Sequence, residues 1–425
     1  MQQPFKLFLL TCVGVQTPEL IPHFIRYYQS LGVDEFLIVL HCDALENPNR
    51  AVVMDALAAF GIQPRQQWVG TFLGPEKQAR LNALVASCVD PGDWVINADL
   101  DEFVECDRFS RTPADLRKLL SAADANGFTF IPGRFVDMVA LGGELNHICA
   151  DVPLWEQFPI ACNVSETILG AAPRKIVACK GHHRCEPGAH RVLEQPRNRA
   201  PALLRVNHFK WDQTVTARLA QREADYTRAG FPHAIESARF LKHIRAHGRI
   251  NLRLVEFIGR SNPLNGWSIP AEMLKFMVLH VPAGASVLEL GSGRGTQELS
   301  WFFRMHSVEH DPKWVGKYAS QYIYAPINGG WYDRDAVRAG IKSLQPAAVL
   351  VDGPPSRIGR EGFARHLDLF DTSGWILFDD VNRPRDRDHF NAVCERLADR
   401  RHEVLPGGGK EFGVIYPVAP LAEKL

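Results

Sequence analysis

Residues 287–296 read "VLELGSGRGT". An apolar run of this kind is the signature of a buried β-strand. It leads into a turn carrying Gly291, Gly293 and Gly295, with Ser292 among them. Spaced glycines let the backbone turn sharply and approach a ligand with no side chain in between. Glu289 falls at the end of the strand, where a carboxylate meets a cationic or donor group. Twenty residues beyond it, "HSVEHD" (306–311) ends another strand at Glu309. An acidic residue about 20 positions after a glycine-rich turn suits a ribose diol. The stretch therefore predicts a strand–turn–helix unit in an α/β sheet, with a ligand at the carboxyl ends of the strands.

The surrounding chain continues the pattern. "PAEMLKFMVLHV" (270–281) is helical, "AAVLVDGPP" (347–355) and "WILFDDV" (375–381) are strands with polar tips, "HFNAVCERLADR" (389–400) is a helix and "FGVIYP" (412–417) a last strand. Over roughly residues 262–417 the sequence resembles class I S-adenosylmethionine-dependent methyltransferases, whose first motif reads "hLElGsGxGT". The resemblance implies a Rossmann-like domain with S-adenosylmethionine as cofactor. Glu289, Gly291, Ser292, Gly293 and Gly295 would line the methionine end and Glu309 would hold the ribose. A Rossmann-like domain without this ligand is the alternative.

Asp352 ends one strand of this half, and Asp379 and Asp380 end the next. Neighbouring strands lie about 4.8 Å apart, so the three carboxylates can converge on one hard cation. Generic strand-end and turn-capping roles are the alternative. The set is similar to the metal site of catechol-type O-methyltransferases, with Asp380 in an asparagine position and Pro355 where that family has its basic lysine. The resemblance implies that Asp352 acts with a metal on the acceptor hydroxyl, and His366 is the substitute candidate for the base. Arg357 and Arg360 in "DGPPSRIGR" would steer an anionic or sugar substrate, or belong to a solvated loop.

The first half alternates in the same way. Strands are expected over 6–13, 35–43, 66–72 and 93–103, and helices over 19–32, 49–61 and 76–88. "WVINADLDEFVE" (94–105) drives an apolar strand into Asp99, Asp101 and Glu102. Carboxylates so close resist burial without a positive partner, and a metal ion is the obvious one. Together with "IPHFIRYYQSLGVDEFLIV" and "KQARLNALV", this stretch resembles GT-A glycosyltransferases of the family 2-like, DxDEF type over about residues 5–215. The resemblance implies a nucleotide-sugar donor held through Mn²⁺ or Mg²⁺. Asp99, Asp101 and His208 would supply metal ligands, and Asp43, Gln78, Arg80, Asn82, Asp99 and Lys175 would surround the nucleotide sugar. His208 packing beside Trp211 and Lys175 as a surface lysine are the alternatives. "VQTPE" (15–19) stands where that family carries Lys-Asn-Glu, a departure that touches the donor contacts. Asp137, Asp151 and Glu156 are equal candidates for the catalytic base. "CKGHHRC" (179–185) has zinc-ligating residue types, but in no finger spacing, and reads as a loop.

Length and composition frame these readings. The chain has 425 residues, which predicts two domains. Lys+Arg and Asp+Glu are both 48, so no global field points to nucleic acid. No apolar stretch has transmembrane length, and no signal peptide is evident. Nine cysteines without a CxxC pair fit reduced thiols in the cytoplasm, with peripheral contact at the inner membrane. The expected organisation is α/β in two domains: GT-A-like residues 1–215, a helical connector over 216–261 with "SNPLNG" (261–266) as its boundary, and a Rossmann-like methyltransferase domain over 262–425. The expected function is bifunctional. Sugar transfer to a glycan or lipid-linked glycan acceptor is joined to O-methylation of a sugar hydroxyl, in bacterial surface polysaccharide synthesis. The alternatives are a methyltransferase whose DxD domain only binds glycan, and a metal-dependent small-molecule O-methyltransferase with an unrelated front scaffold.

Overall fold

A computed structural model describes residues 5–105, 113–195, 197–201, 203–259 and 268–418. The chain forms two compact units, Met1–Glu256 and Phe257–Leu425. The "SNPLNG" boundary lies outside the described residues.

The first unit runs β1 (Leu7–Gly14), α1 (Leu20–Ser30), β2 (Glu35–Cys42), α2 (Asn49–Ala58), β3 (Gln66–Val69), α3 (Gly74–Cys88), β4 (Trp94–Asn97), β5 (Glu102–Glu105), α4 (Pro113–Ala125), β6 (Phe130–Val139), α5 (Leu154–Gln157), β7 (Ile160–Cys162), β8 (Arg174–Lys180), β9 (Leu204–His208), α6 (Val215–Arg228) and α7 (Ala234–His247). Its strands join in the order β3-β2-β1-β4-β8-β6-β9-β5, with β7 on β6. β1 and β2 are apolar almost throughout because helices cover both faces of a parallel sheet. α1 buries Leu20, Ile21, Phe24, Ile25 and Tyr28, one stripe at helical spacing.

The expected single strand over 93–103 is two strands. β4 stops at Asn97, residues 98–101 form a turn, and β5 leaves to pair with β9. The DxD residues therefore occupy a turn. The helices expected as a connector, α6 and α7, belong to the first unit. Tyr226 Oη accepts from Gly74 N at 3.1 Å, and Arg239 donates to Leu169 O at 3.1 Å.

The second unit runs α8 (Ala271–His280), β10 (Ser286–Leu290), α9 (Arg294–Leu299), β11 (Arg304–Glu309), β12 (Gln321–Tyr324), β13 (Ile327–Asn328), β14 (Trp331–Tyr332), α10 (Arg334–Ile341), β15 (Ala348–Val351), α11 (Glu361–Arg365), β16 (Trp375–Phe378), α12 (Pro384–Arg396), β17 (His402–Gly407) and β18 (Lys410–Ile415). The main sheet has the order β12-β11-β10-β15-β16-β18-β17. Along it β12, β11, β10, β15 and β16 run parallel to one another, whereas β18 is antiparallel to both β16 and β17; β13 and β14 form a separate antiparallel pair. The order reverses between β10 and β15, the place where doubly wound sheets open a crevice beyond the carboxyl ends of their strands. Leu288, Leu290, Val308, Val349, Val351, Ile376 and Phe378 from the central strands pack into one core beneath it.

Candidate functional site

In the first unit, strand register assembles the site. Glu102 of β5 lies opposite His208 of β9, and His208 in turn lies beside Asp137 of β6. Asp101, Glu102 and His208 each present a ligand atom within 4.8 Å of the other two. Asp137, 1% exposed, accepts from Ser165 N (2.6 Å), Ser165 Oγ (2.8 Å) and Trp211 Nε1 (2.9 Å). His208 Nδ1 lies 3.0 Å from the same carboxylate, which leaves Nε2 facing Asp101 Oδ2 at 3.8 Å. A carboxylate on one ring nitrogen, with the other nitrogen pointing at acidic oxygens, is how proteins prepare a histidine to hold a metal. Burial pushes the His208 pKa down, but Asp101 and Asp137 outweigh it, so the net shift is upward. The three ligand atoms suit a divalent cation in type and spacing, with Glu102 shared with Lys175.

Asp99, expected among the metal ligands, is instead taken by Lys77, whose Nζ lies 2.6 and 2.7 Å from its two oxygens. Burial alone would raise the Asp99 pKa, yet Lys77 and Lys175 bring it down to about 2. Glu102 takes its place in the acidic group and is also paired with Lys175, both side chains being nearly inaccessible. Asp137 cannot serve as the catalytic base, because the four surrounding donors saturate it. Asp151 and Glu156 are exposed.

Lys77, Asp99, Glu102, Lys175 and His208 border a cavity of about 720 Å³, also lined by Gln78, Lys210, Arg222 and Tyr226. Gln78 lies on the cavity wall and donates to Asn82, while Asn82 clamps the main chain of Cys185. Arg80 pairs with Glu76 and covers the Trp68 ring at 5.3 Å. Asp43 is exposed at the end of β2 and bound to Asn47. Among the described residues, no metal-type cluster includes the "CKGHHRC" cysteines, which are buried in the core. Lys210 was not anticipated. Burial and the nearby Arg222 bring its pKa down to about 8. Its only local signal was its place two residues after His208.

In the second unit, Glu289 is cross-strand from Ser307. Its Oε2 accepts from Thr296 Oγ1 (2.6 Å) and Ser307 Oγ (3.0 Å), and burial pushes its carboxyl up to about 8. Through Thr296, whose Oγ1 accepts from Gly293 N at 2.8 Å, it braces the glycine turn from below. Gly291 has φ +92°, and a Cβ there would stand 3.2 Å from the Gly353 backbone. A Cβ on Gly293 would meet nothing within 4 Å. Glu309 accepts from Ser292 Oγ (2.6 Å) and from the N–H groups of His310 and Asp311 (2.8 and 3.0 Å). Tyr332, 1% exposed and also not anticipated, abuts Gly353, and its hydroxyl has no hydrogen-bond partner among the described residues. An open glycine face, an acidic strand end and an orphaned hydroxyl fit a nucleoside-type methyl donor.

Asp352, Asp379 and Asp380 do converge, with ligand atoms within 4.8 Å of one another. They are not vacant. Arg360 NH2 is 3.2 Å from Asp352 Oδ1 and 3.3 Å from Asp380 Oδ2. Lys410 Nζ is 3.1 Å from Asp379 Oδ2 and 3.0 Å from Asp380 Oδ1, and Arg383 is 2.7 Å from Asp380. A divalent ion there would have to compete with Arg360 for Asp352 and Asp380 and with Lys410 for Asp379 and Asp380, leaving Asp379 Oδ1 as a buried oxygen without a hydrogen-bond partner among the described residues. Arg360, expected on a substrate-steering or solvated loop, is 2% exposed; Arg357 is exposed. His366 is not brought to Asp352. It packs against Trp331, with Arg334, Arg365 and Asp368 as its charged surroundings.

No protein-family model and no curated protein matches the sequence. Over part of its length the chain is similar to an rRNA methylase from Streptococcus thermophilus (12% identity, 35% of this chain and 95% of that one, TM-score 0.25). It is similar also to a methyltransferase from Pyrococcus furiosus (17%, 42% and 96%, TM-score 0.25). A third similar structure is spermidine synthase from Thermotoga maritima (16%, 39% and 66%, TM-score 0.23). Among the described residues, no helix is long and apolar enough to cross a membrane.

Proposed function

We propose that the chain is a bifunctional glycan-modifying enzyme. The second unit would transfer a methyl group from S-adenosylmethionine to a sugar hydroxyl, and the first would transfer a sugar from a nucleotide donor to a glycan or lipid-linked glycan. Bacterial surface polysaccharide synthesis at the cytoplasmic side of the inner membrane is the setting this reading favours.

For the second unit the carrying observation is the glycine turn at the switch point with Glu309 one strand away. The sheet order supports a methyl donor over a dinucleotide. Dinucleotide folds repeat a parallel half to the order 3-2-1-4-5-6, whereas here an antiparallel hairpin follows β16. S-adenosylmethionine would supply an electrophilic methyl group on its sulfonium. Glu309 and Ser292 would receive the ribose hydroxyls, Gly293 would leave room for the donor, and the Tyr332 hydroxyl would gain a partner. Asp352 stands beside the glycine turn, its carbonyl carbon 3.6 Å from where a Cβ on Gly291 would lie.

For the first unit the support is the Asp101–Glu102–His208 group, whose Glu102 and His208 line a cavity bordered by Lys77, Lys175, Lys210 and Arg222. A Mn²⁺ or Mg²⁺ ion held there would offset charge on a departing diphosphate. The lysines and Arg222 would meet the phosphates, and Gln78 the rest of the donor. The internal pairing of Asp99 by Lys77, together with the "VQTPE" departure, favours a second reading in which this unit only binds glycan.

Calorimetry of the full chain separates these readings. S-adenosylmethionine is titrated first, then nucleotide sugars with and without Mn²⁺, into wild type and Asp101→Ala. Metal-dependent binding of one nucleotide sugar, lost in Asp101→Ala, supports bifunctionality. Binding of S-adenosylmethionine alone leaves the front unit as a recognition module, and binding of neither sinks the proposal.

A further inference from the structure

We infer that the guanidinium of Arg360 is a built-in replacement for a divalent cation at the strand ends of the second unit, so that this acidic site works without metal. The inference uses the methyl-donor reading only for what the site serves.

The geometry carries it. Three carboxylates (Asp352, Asp380 and Asp386) pair with Arg360, which is 2% exposed, and the Asp379 carboxylate, paired with Lys410, completes the acidic set. Its NH2 reaches Asp352 Oδ1 and Asp380 Oδ2 at 3.2 and 3.3 Å and donates to the Asp352 carbonyl at 2.6 Å. Its NH1 donates to the Asp379 carbonyl. One planar fork thus ties the ends of β15 and β16 together through both main chain and side chains. A hard metal bridging the same carboxylates would do the same job with shorter, oxygen-only contacts. Lys410 and Arg383 bring the cations to three, against four carboxylates. The set is therefore close to neutral before any ion arrives. A divalent ion would gain little charge compensation and would have to expel a buried group that never deprotonates.

Arg360 is a positioning residue on this account, and its removal should create a metal site. Mn²⁺ binding to the full chain is counted by electron paramagnetic resonance in wild type and variants. Any Mn²⁺ held by wild type should vanish in Asp101→Ala, which disables the first unit's group. Asp101→Ala combined with Arg360→Ala should bind one Mn²⁺, and Asp101→Ala combined with Arg360→Lys should bind none. S-adenosylmethionine affinity in wild type should stay within about twofold when EDTA is added. A Mn²⁺ that persists in Asp101→Ala and disappears when Asp352→Asn is added overturns the inference. That comparison needs no Arg360 variant, so it decides even where Arg360→Ala fails to fold. Failure of S-adenosylmethionine to bind under any condition would instead remove the methyl-donor reading and leave the metal count intact.

Discussion

Glu289→Gln tests how the glycine turn is held. Glu289 is 1% exposed, and burial raises its carboxyl from 4.5 to about 8, against the smaller opposing pull of Thr296 and Ser307. The folded unit therefore binds this proton more tightly than the unfolded chain does. Its contribution to stability is fully present below the unfolded value and is lost as pH rises through the folded one. With those two values, linkage gives a loss of about 2–3 kcal/mol between about pH 6 and pH 9. For a unit the size of Phe257–Leu425 that is a fall of about 5–10 °C in midpoint. Glutamine keeps an oxygen for the Thr296 and Ser307 hydroxyls but has no proton to lose. Differential scanning calorimetry of both proteins across this range should show the wild-type midpoint for the second unit dropping relative to the variant's. Midpoints that fall in parallel refute the reasoning, because then Glu289 does not titrate differently in the two states.

Three further outcomes follow from the geometry. Asp137→Asn should weaken Mn²⁺ binding by about 10–100-fold, measured by calorimetry, because an amide facing His208, Trp211 and Ser165 cannot accept from all of them; unchanged affinity would remove His208 from the metal group. Lys175→Met leaves Glu102 buried without its cation and should cost about 3–5 kcal/mol in urea unfolding. Adding Glu102→Leu should recover most of that loss, and failure to recover any would mean the pair is not coupled. Gly293→Ala should lower S-adenosylmethionine affinity by about tenfold or more with the thermal midpoint unchanged, since its backbone is extended and its Cβ would enter open space. Gly291→Ala should lower the midpoint as well, because its φ of +92° suits only glycine; equal effects of the two would argue against a ligand over Gly293.

The alternation of strands and helices was legible because buried parallel strands leave near-continuous apolar runs, as in "LFLLTCVG" and "AVLV". The acidic strand ends were legible for the same reason, since carboxylates after such a run stand out. Partners were not. Lys77 reaches Asp99 from the helix before β4, and Asp137 reaches His208 from a strand 71 positions earlier. Nothing local marks either pairing. Glu102 rather than Asp99 joins the metal-type group because β5 turns away from β4 to pair with β9, a break that an unbroken "WVINADLDEF" conceals. Arg360 lies in a stretch rich in Gly, Pro and Arg, which locally reads as exposed, and only the convergence of β15 and β16 buries it.

The antiparallel hairpin of β17 and β18 also constrains how the second unit assembles. β18 inserts between β16 and β17, so β17 leaves the ribosome first but has no strand to join until β18 follows it. The two must close on each other through the turn at Gly408 and Gly409, a local event, and then add to the sheet edge together. Lys410 sits at the start of β18, so docking of the hairpin and neutralisation of Asp379 and Asp380 are one step. Arg360 and Arg383 stand beside Asp380 without the hairpin, so what the hairpin adds is the Lys410 ammonium shared by Asp379 and Asp380. Pairing of a strand edge and charge balance at the strand ends thus depend on the same short hairpin.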